Sequence, residues 1–410
     1  MNSLEYINNK LIFDNVDLQA ASENLTTPYY LYSENLIKKN IKEYLSCATD
    51  RTLFCYSVKA NSNLSLLRLI ASEGMGFDVV SKGELYRAIK AGADTSKIVY
   101  SGVGKTDDEI AYALENNILC FNVESEGELN AINKQALSMN VVAKISIRVN
   151  PDVAVETHPY ISTGMKENKF GIAYDEALSV YIKASKLSAL KIIGIDFHIG
   201  SQIKSTQPYI DSIESIKKLI HKLKKENIIL EHIDVGGGLG INYDNDSVVK
   251  KSTYIKTVLD SLADLNLNII FEPGRSVVGD CGILITKIQY IKESSSKNFI
   301  IVDASMSELM RPPLYGAFHK ITPILASDNK VKTYDVVGPV CESADFLGKD
   351  RKLNSKISEL LAVEDVGAYG FVLSSNYNTR PKPAEYIISE DKIELIRSAD
   401  TIDQILENEY

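Results

Sequence analysis

From about residue 50 to residue 275 the chain alternates between two hydrophobic patterns. Short runs of apolar, often β-branched residues end in Gly, Asn, Ser or a charged residue. They predict strands at Thr52–Lys59, Phe77–Ser81, Ile98–Ser101, Leu119–Glu124, Ala143–Asn150, Ile192–His198, Ile233–Gly236 and Ile269–Pro273. Stretches such as Gly83–Ala91, Thr106–Asn116, Tyr174–Leu187 and Tyr209–Lys225 carry the polar and apolar spacing of amphipathic helices. Eight strands alternating with helices imply parallel βαβ units, and eight is the number that closes a TIM-type (β/α)8 barrel. An open doubly wound sheet is the alternative; the strand count favours the barrel. After Arg275 the rhythm changes. Gly282–Glu293, Asn298–Ala304, Val331–Val337 and Glu359–Val363 are β-rich or short and apolar, which predicts a C-terminal all-β sandwich or barrel domain. The expected organisation is an N-terminal segment, residues 1–27, packing with the β domain; a barrel over residues 28–275; and the β domain over residues 276–410.

Composition narrows the class. The 410 residues include 45 Lys plus Arg against 54 Asp plus Glu, a net charge of −9 that argues against a general nucleic-acid or anionic-membrane surface. No apolar run approaches the roughly 18 residues of a membrane span. Met1-Asn2-Ser3-Leu4-Glu5 lacks the basic and apolar stretches of a signal peptide, and the cysteine usage below makes a reduced, cytoplasmic enzyme the expectation. The five cysteines, Cys47, Cys55, Cys120, Cys281 and Cys341, are scattered without a Cys-x-x-Cys pair, and the five histidines show no ligand spacing. Neither a disulfide framework nor a metal is expected.

A barrel enzyme places its reactive groups at the C-terminal ends of its strands. Those ends supply Lys59 and Asn61, Asp78 and Ser81, Arg148 and Asn150, and His198 and Ser201, together with Gly236-Gly237-Gly238 and Glu272-Pro273-Gly274-Arg275. The set holds one lysine, several anion-binding elements, an imidazole and a carboxylate. It shows no Ser-His-Asp set and no carboxylate cluster for a metal. A cofactor with an aldehyde and a phosphate would use most of it: a lysine to hold the aldehyde, and uncovered glycine amides with Gly274 and Arg275 to close on the phosphate. Each residue also has an ordinary reading. Lys59 can be a snorkelling strand-end lysine, the glycine run a turn, and Cys341 a buried inert thiol.

The order of the blocks decides between these readings. Tyr56-Ser57-Val58-Lys59-Ala60-Asn61 resembles the cofactor-lysine motif of the fold type III pyridoxal-phosphate-dependent decarboxylases. His198-Ile199-Gly200-Ser201-Gln202, Gly236-Gly237-Gly238-Leu239-Gly240, Glu272-Pro273-Gly274-Arg275 and Cys341-Glu342-Ser343 follow in that family's order. Arg311-Pro312-Pro313-Leu314-Tyr315-Gly316-Ala317, and Gly367-Ala368-Tyr369 followed by Ser374-Ser375-Asn376-Tyr377, are similar to segments of the members that act on diaminopimelate. The likeness runs from Thr27-Pro28 to Glu385. It departs from the family pattern at Ser57, at Lys82 and at Ser307-Glu308.

The resemblance implies pyridoxal 5'-phosphate as cofactor, carried as a Schiff base on Lys59. It further implies that His198 stacks on the ring and that Glu272 keeps the ring nitrogen protonated, which makes the ring a stronger electron sink. By the same resemblance Asp78 and Arg148 orient Lys59 and the cofactor. Ser201, Gly236, Gly237, Gly238, Gly274, Arg275 and Tyr369 serve the phosphate, Tyr369 also being a candidate for the substrate. Cys341 and Glu342 reach into the partner's site in a homodimer with composite sites, the thiol returning a proton after CO2 departs. Meso-diaminopimelate carries a carboxylate and an ammonium at its distal end. Arg275, Arg311 and Tyr315 supply charge and hydrogen bonds for the first, and Glu342 the counter-charge for the second. The expected reaction is decarboxylation at the D-centre to L-lysine, the last step of lysine biosynthesis. Alternatives are a sister decarboxylase acting on ornithine, arginine or a carboxylated polyamine, a racemase, and an inactive binding homologue.

Overall fold

The computed structural model describes residues 4–151, 153, 169–244 and 247–410. The chain forms two compact units, one of Ile41–Ile241 with Ser247–Ser276, the other of Met1–Asn40, Asn242–Asp246 and Val277–Tyr410.

The first unit is a closed parallel barrel. Its strands are β1 (Thr52–Ser57), β2 (Gly76–Val79), β3 (Ile98–Tyr100), β4 (Cys120–Val123), β5 (Ala143–Asn150), β6 (Leu190–Asp196), β7 (His232–Asp234) and β8 (Asn268–Phe271). Each pairs in parallel with the next, and β8 pairs with β1 to close the ring. All eight expected strands are present, most of them shorter than their apolar runs, because the last residues of each run turn out of the ladder into the following loop. Strands buried on both faces still keep a period of two. In β5, Ile145, Ile147 and Val149 alternate with Ser146, Arg148 and Asn150, and all six are buried.

Helices follow the strands with local start signals in place. Ser81 caps Lys82–Lys90, Ser125 caps Glu126–Ser138, and Thr106 with Glu109 forms a capping box on Asp107–Glu115. The helix Gln207–Lys225 begins with Pro208 and ends in Lys222, Lys224 and Lys225, a charge order that suits the helix dipole. It buries Ile213, Ile216, Leu219, Ile220 and Leu223, the stripe of an amphipathic helix.

The second unit is sheet-rich. Gly282–Lys292 is its backbone: the first part pairs with Tyr29–Ser33 and Leu360–Val363, and the far end, past a bulge at Ile288/Tyr290, pairs with Phe299–Val302. Residues 28–40, expected with the barrel, belong to this unit, since Tyr29–Ser33 is an interior strand buried at every position. A small antiparallel sheet, Leu4–Ile7, Lys10–Phe13 and Val16–Asp17, contributes Leu11 and Phe13 to a core shared with Tyr29, Leu31, Ile283, Ile285 and Ile388.

Candidate active site

The barrel interior is layered, and the layers follow from the period of two. Cys55, Val99, Cys120 and Ile270 form an apolar layer with Ile193. Two residues further along the same strands stand Ser57, Ser101, Asn122 and Glu272, all buried. Asp78 lies beside Ser57, and Arg148, Asp196 and Asp234 stand side by side across β5, β6 and β7. Apolar packing therefore gives way to a polar layer toward the C-terminal mouth.

Lys59 sits in a short turn, Val58–Ala60, that leaves β1. Its Nζ donates to Asp78 Oδ2 at 2.7 Å, and the same oxygen accepts from Ser57 Oγ at 2.9 Å. Burial works to raise the Asp78 carboxyl, but the Lys59 charge and the bonds from Lys59 and Ser57 outweigh it and hold Asp78 below its ordinary value.

Three carboxyls meet on the neighbouring side of the layer. Oxygens of Asp196, Asp234 and Glu272 lie within 4.8 Å of one another, all buried. The strand-end reading passes over this cluster because Asp196 and Asp234 lie inside the runs that His198 and Gly236 close. Asp196 and Asp234, although one strand step inside the mouth, share the inward phase of Asp78, and that phase was the available signal. Asn122 links the group, donating to Glu272 Oε1 at 3.3 Å and Asp234 Oδ2 at 3.4 Å. Burial and then Asp78 push Asp234 up to about 7. Burial, then the charges of Asp234, Asp78 and Asp196, push Glu272 well above its usual range. Carboxyls crowded in this way hold protons near neutrality. Glu124 was also missed. It takes Arg148 Nη1 at 2.9 Å and the amides of Gly102 and Gly171, so it fixes the arginine that faces Asp196.

His198 and the glycine run meet at the mouth. The Gly237 amide donates to His198 Nδ1 at 3.2 Å, which places the imidazole proton on Nε2. Burial, then Arg148 and Lys59, push His198 down to about 3, so the ring is neutral. The Gly236 amide donates to Asp234 Oδ1 at 2.9 Å. Two of the three glycine amides thus hold site residues rather than standing uncovered. The run is glycine for reasons of space: a Cβ on Gly237 would lie 2.1 Å from the Glu272 carbonyl oxygen. Arg275, buried, donates Nη2 to Ser201 Oγ at 3.0 Å. Gly274 packs against Ser57 and Ala60 at the foot of Lys59. The structure therefore brings together Lys59, Asp78, Arg148, His198, Ser201, Gly236–Gly238, Glu272, Gly274 and Arg275 in one unit.

Arg311, Tyr315, Cys341, Glu342 and Tyr369 belong to the other unit. Arg311 is buried at the start of the short helix Arg311–Tyr315. Its Nη1 donates to His319 Nε2 at 2.9 Å and its guanidinium lies 4.8 Å from the Tyr243 ring centroid. Because arginine only donates, His319 carries its proton on Nδ1, which gives it to the Glu364 carbonyl at 2.8 Å. Neither His319 nor Tyr243 stood out in the sequence. Tyr315 is half-buried and Tyr369 adopts a left-handed backbone with φ 56°. Cys341 and Glu342 are exposed on a turn clipped by buried Asp345, whose carboxylate accepts the Met306 and Val340 amides at 2.7 Å each.

The barrel set fits pyridoxal phosphate chemically. It offers an amine for an aldehyde, an acid for a ring nitrogen, and a cationic hydroxyl-bearing corner for a phosphate. Asp78 Oδ1 and Asp196 Oδ1 are buried without a hydrogen-bond partner, the mark of a layer shaped around another polar group. The family of pyridoxal-dependent decarboxylases matches through its pyridoxal binding domain over residues 34–279. A diaminopimelate decarboxylase of Pseudomonas aeruginosa is 44% identical over 100% of this chain and 99% of its own. The chain belongs to the diaminopimelate decarboxylase family of pyridoxal-dependent decarboxylases. Among solved structures of that family, the Helicobacter pylori enzyme complexed with L-lysine matches with TM-score 0.92 and 44% identity, covering 95% of this chain and 98% of that one. The enzyme of M. jannaschii in co-complex with L-lysine gives TM-score 0.95 at 34% identity, covering 100% and 98%. Diaminopimelate decarboxylases thus share this architecture at moderate identity.

Proposed function

We propose that this chain decarboxylates meso-2,6-diaminopimelate at its D-centre, releasing CO2 and L-lysine as the last step of lysine biosynthesis. The observation that carries the reading is Lys59 paired with Asp78 beside the proton-holding Glu272, in a chain related to diaminopimelate decarboxylases over its full length. Pyridoxal phosphate, when bound, supplies an aldehyde that takes amino groups and a ring that accepts the electron pair left by departing CO2.

The residues divide the remaining work. Asp78, steadied by Ser57, aims the Lys59 amine and balances its charge. Glu272 is kept protonated by burial and its carboxyl neighbours, and would hold that proton for the ring nitrogen of the bound cofactor. Neutral His198 offers a flat face without a positive charge that would compete with that proton. Arg148 balances Asp196 and Glu124 beside this layer. Arg275 and Ser201 would hold the phosphate at the mouth, where Gly236–Gly238 and Gly274 let the backbone come close, and Tyr369 would add a phenol to phosphate or substrate.

For the substrate's far end, Arg311 and Tyr315 with Arg275 take the distal carboxylate. Arg311 is already oriented by His319 and Tyr243. Glu342 takes the distal ammonium and Cys341 returns a proton to the decarboxylated carbon. Both act in the partner subunit's site, so the working unit is a homodimer, and a cytoplasmic one. No helix among the described residues is long and apolar enough to cross a membrane. The test is CO2 and lysine release from meso-diaminopimelate compared with ornithine and arginine. Faster turnover of ornithine would overturn the substrate assignment.

A further inference from the structure

Glu342 does not stand alone on its turn. The Tyr377 hydroxyl donates to Glu342 Oε1 at 2.6 Å, and both side chains are exposed. Their backbones are held from two sides. The Glu342 turn is clipped by Asp345, whose own amide donates back to the Glu342 carbonyl at 3.0 Å. The Tyr377 loop is tied to buried Ser307: the Ser375 amide donates to the Ser307 carbonyl at 2.9 Å, and Ser307 Oγ approaches the Tyr377 carbonyl at 3.5 Å. Past Tyr377, Asn378 and Thr379 both adopt φ 55°. A β-branched threonine in that region is strained and persists only where its surroundings fix it. Here Arg380 supplies the anchor, with Nη2 on the Asp303 carbonyl and Nε 3.4 Å from buried Glu308. Ser307 and Glu308, two of the positions that depart from the family pattern, thus seat this loop.

An exposed tyrosine and glutamate gain little from pairing in water. Fixing both backbones, one of them with strain, makes sense where the carboxylate must point in one direction. We propose that Tyr377 is a positioning residue that aims Glu342 at the substrate's distal ammonium and so sets the preference for a substrate bearing that group. The inference rests on the proposed role of Glu342. Acting through its phenol, Tyr377 leaves one Glu342 oxygen for the ammonium and orients the other. The hydrogen bond to Glu342, and then that carboxylate's charge, raise the Tyr377 phenol, which therefore keeps the proton it donates.

The experiment compares Tyr377→Phe and Glu342→Gln in the holoenzyme, using meso-diaminopimelate and D-2-aminopimelate, which has the distal carboxylate but no distal ammonium. KM and kcat are measured for the first and the competitive inhibition constant for the second. Tyr377→Phe is expected to raise KM for diaminopimelate about fivefold, the scale of one ordinary net hydrogen bond. Its kcat and the aminopimelate constant stay within about twofold, less than the loss of one hydrogen bond would make. Glu342→Gln gives the same selective pattern, more strongly. If Glu342→Gln is selective and Tyr377→Phe is not, the inference about Tyr377 fails and the role of Glu342 stands. Equal weakening toward both compounds by Glu342→Gln overturns the role of Glu342 and the inference with it. A fall in kcat with unchanged KM in Tyr377→Phe also overturns the positioning role.

Discussion

At the scale of single residues, the unusual chemistry lies in protons shared where water is excluded. Asp234, Glu272 and Asp196 all have folded-state carboxyls above their ordinary values, Asp234 at about 7 against 3.8. The folded chain then holds more protons than the unfolded one between those values. The stabilisation is full below the unfolded value and is lost as pH rises through the folded one. His198 at about 3 and His232 at about 4 work in the opposite sense, adding stability as pH rises toward 6.5. Above 6.5 only the carboxyl contribution remains. Urea unfolding of cofactor-free protein should therefore show stability falling from pH 6.5 to about pH 8, by roughly 1 kcal/mol per pH unit for one such group. Asp234→Asn keeps an acceptor for the Gly236 amide and should flatten that fall; an unchanged slope would show that the cluster is not the source.

At the scale of elements, the turn between β7 and its following loop is the tightest joint of the site. A methyl on Gly237 meets the Glu272 carbonyl oxygen at 2.1 Å, and neither backbone can yield without moving an end of the barrel. Gly237→Ala should cost about 3 kcal/mol or more in urea unfolding, beyond an ordinary surface change. A loss under about 1 kcal/mol would mean that the joint is soft. All eight barrel strands were legible, because apolar runs bounded by turn residues survive in any context. Lys59, His198 and the Glu272 segment were legible because each closes a run within a block that keeps the order of the decarboxylase family. Asp196, Asp234, Asn122 and Glu124 were not singled out. Their inward direction depends on the phase of each strand, and phase is fixed only when neighbours come into register, as Arg148, Asp196 and Asp234 do. His319 and Tyr243 were hidden for another reason. They are distant in sequence and meet only around the Arg311 guanidinium.

At the scale of the whole molecule, Tyr29–Ser33 joins the sheet of the C-terminal region although it precedes the barrel in sequence. Its partner strands, Gly282–Lys292 and Ala384–Ser389, lie far along the chain, so nothing local to residues 28–40 marks the pairing that moves the boundary from residue 28. The composite site of the proposed homodimer has its own consequence. Lys59→Ala and Cys341→Ala subunits should each be nearly inactive, one lacking the amine and the other the proton donor. After mixing in equal amounts and subunit exchange, half of the dimers pair one of each and contain one complete site, so about a quarter of wild-type activity should return. No recovery despite demonstrated exchange would place Lys59 and Cys341 in the same subunit's site. The most direct measurement is turnover of meso-diaminopimelate by the purified holoenzyme, with CO2 and lysine quantified against ornithine at equal concentration. Stoichiometric CO2 and L-lysine with little release from ornithine is the expected result. Comparable or faster CO2 release from ornithine, or racemisation of diaminopimelate without CO2, would contradict it.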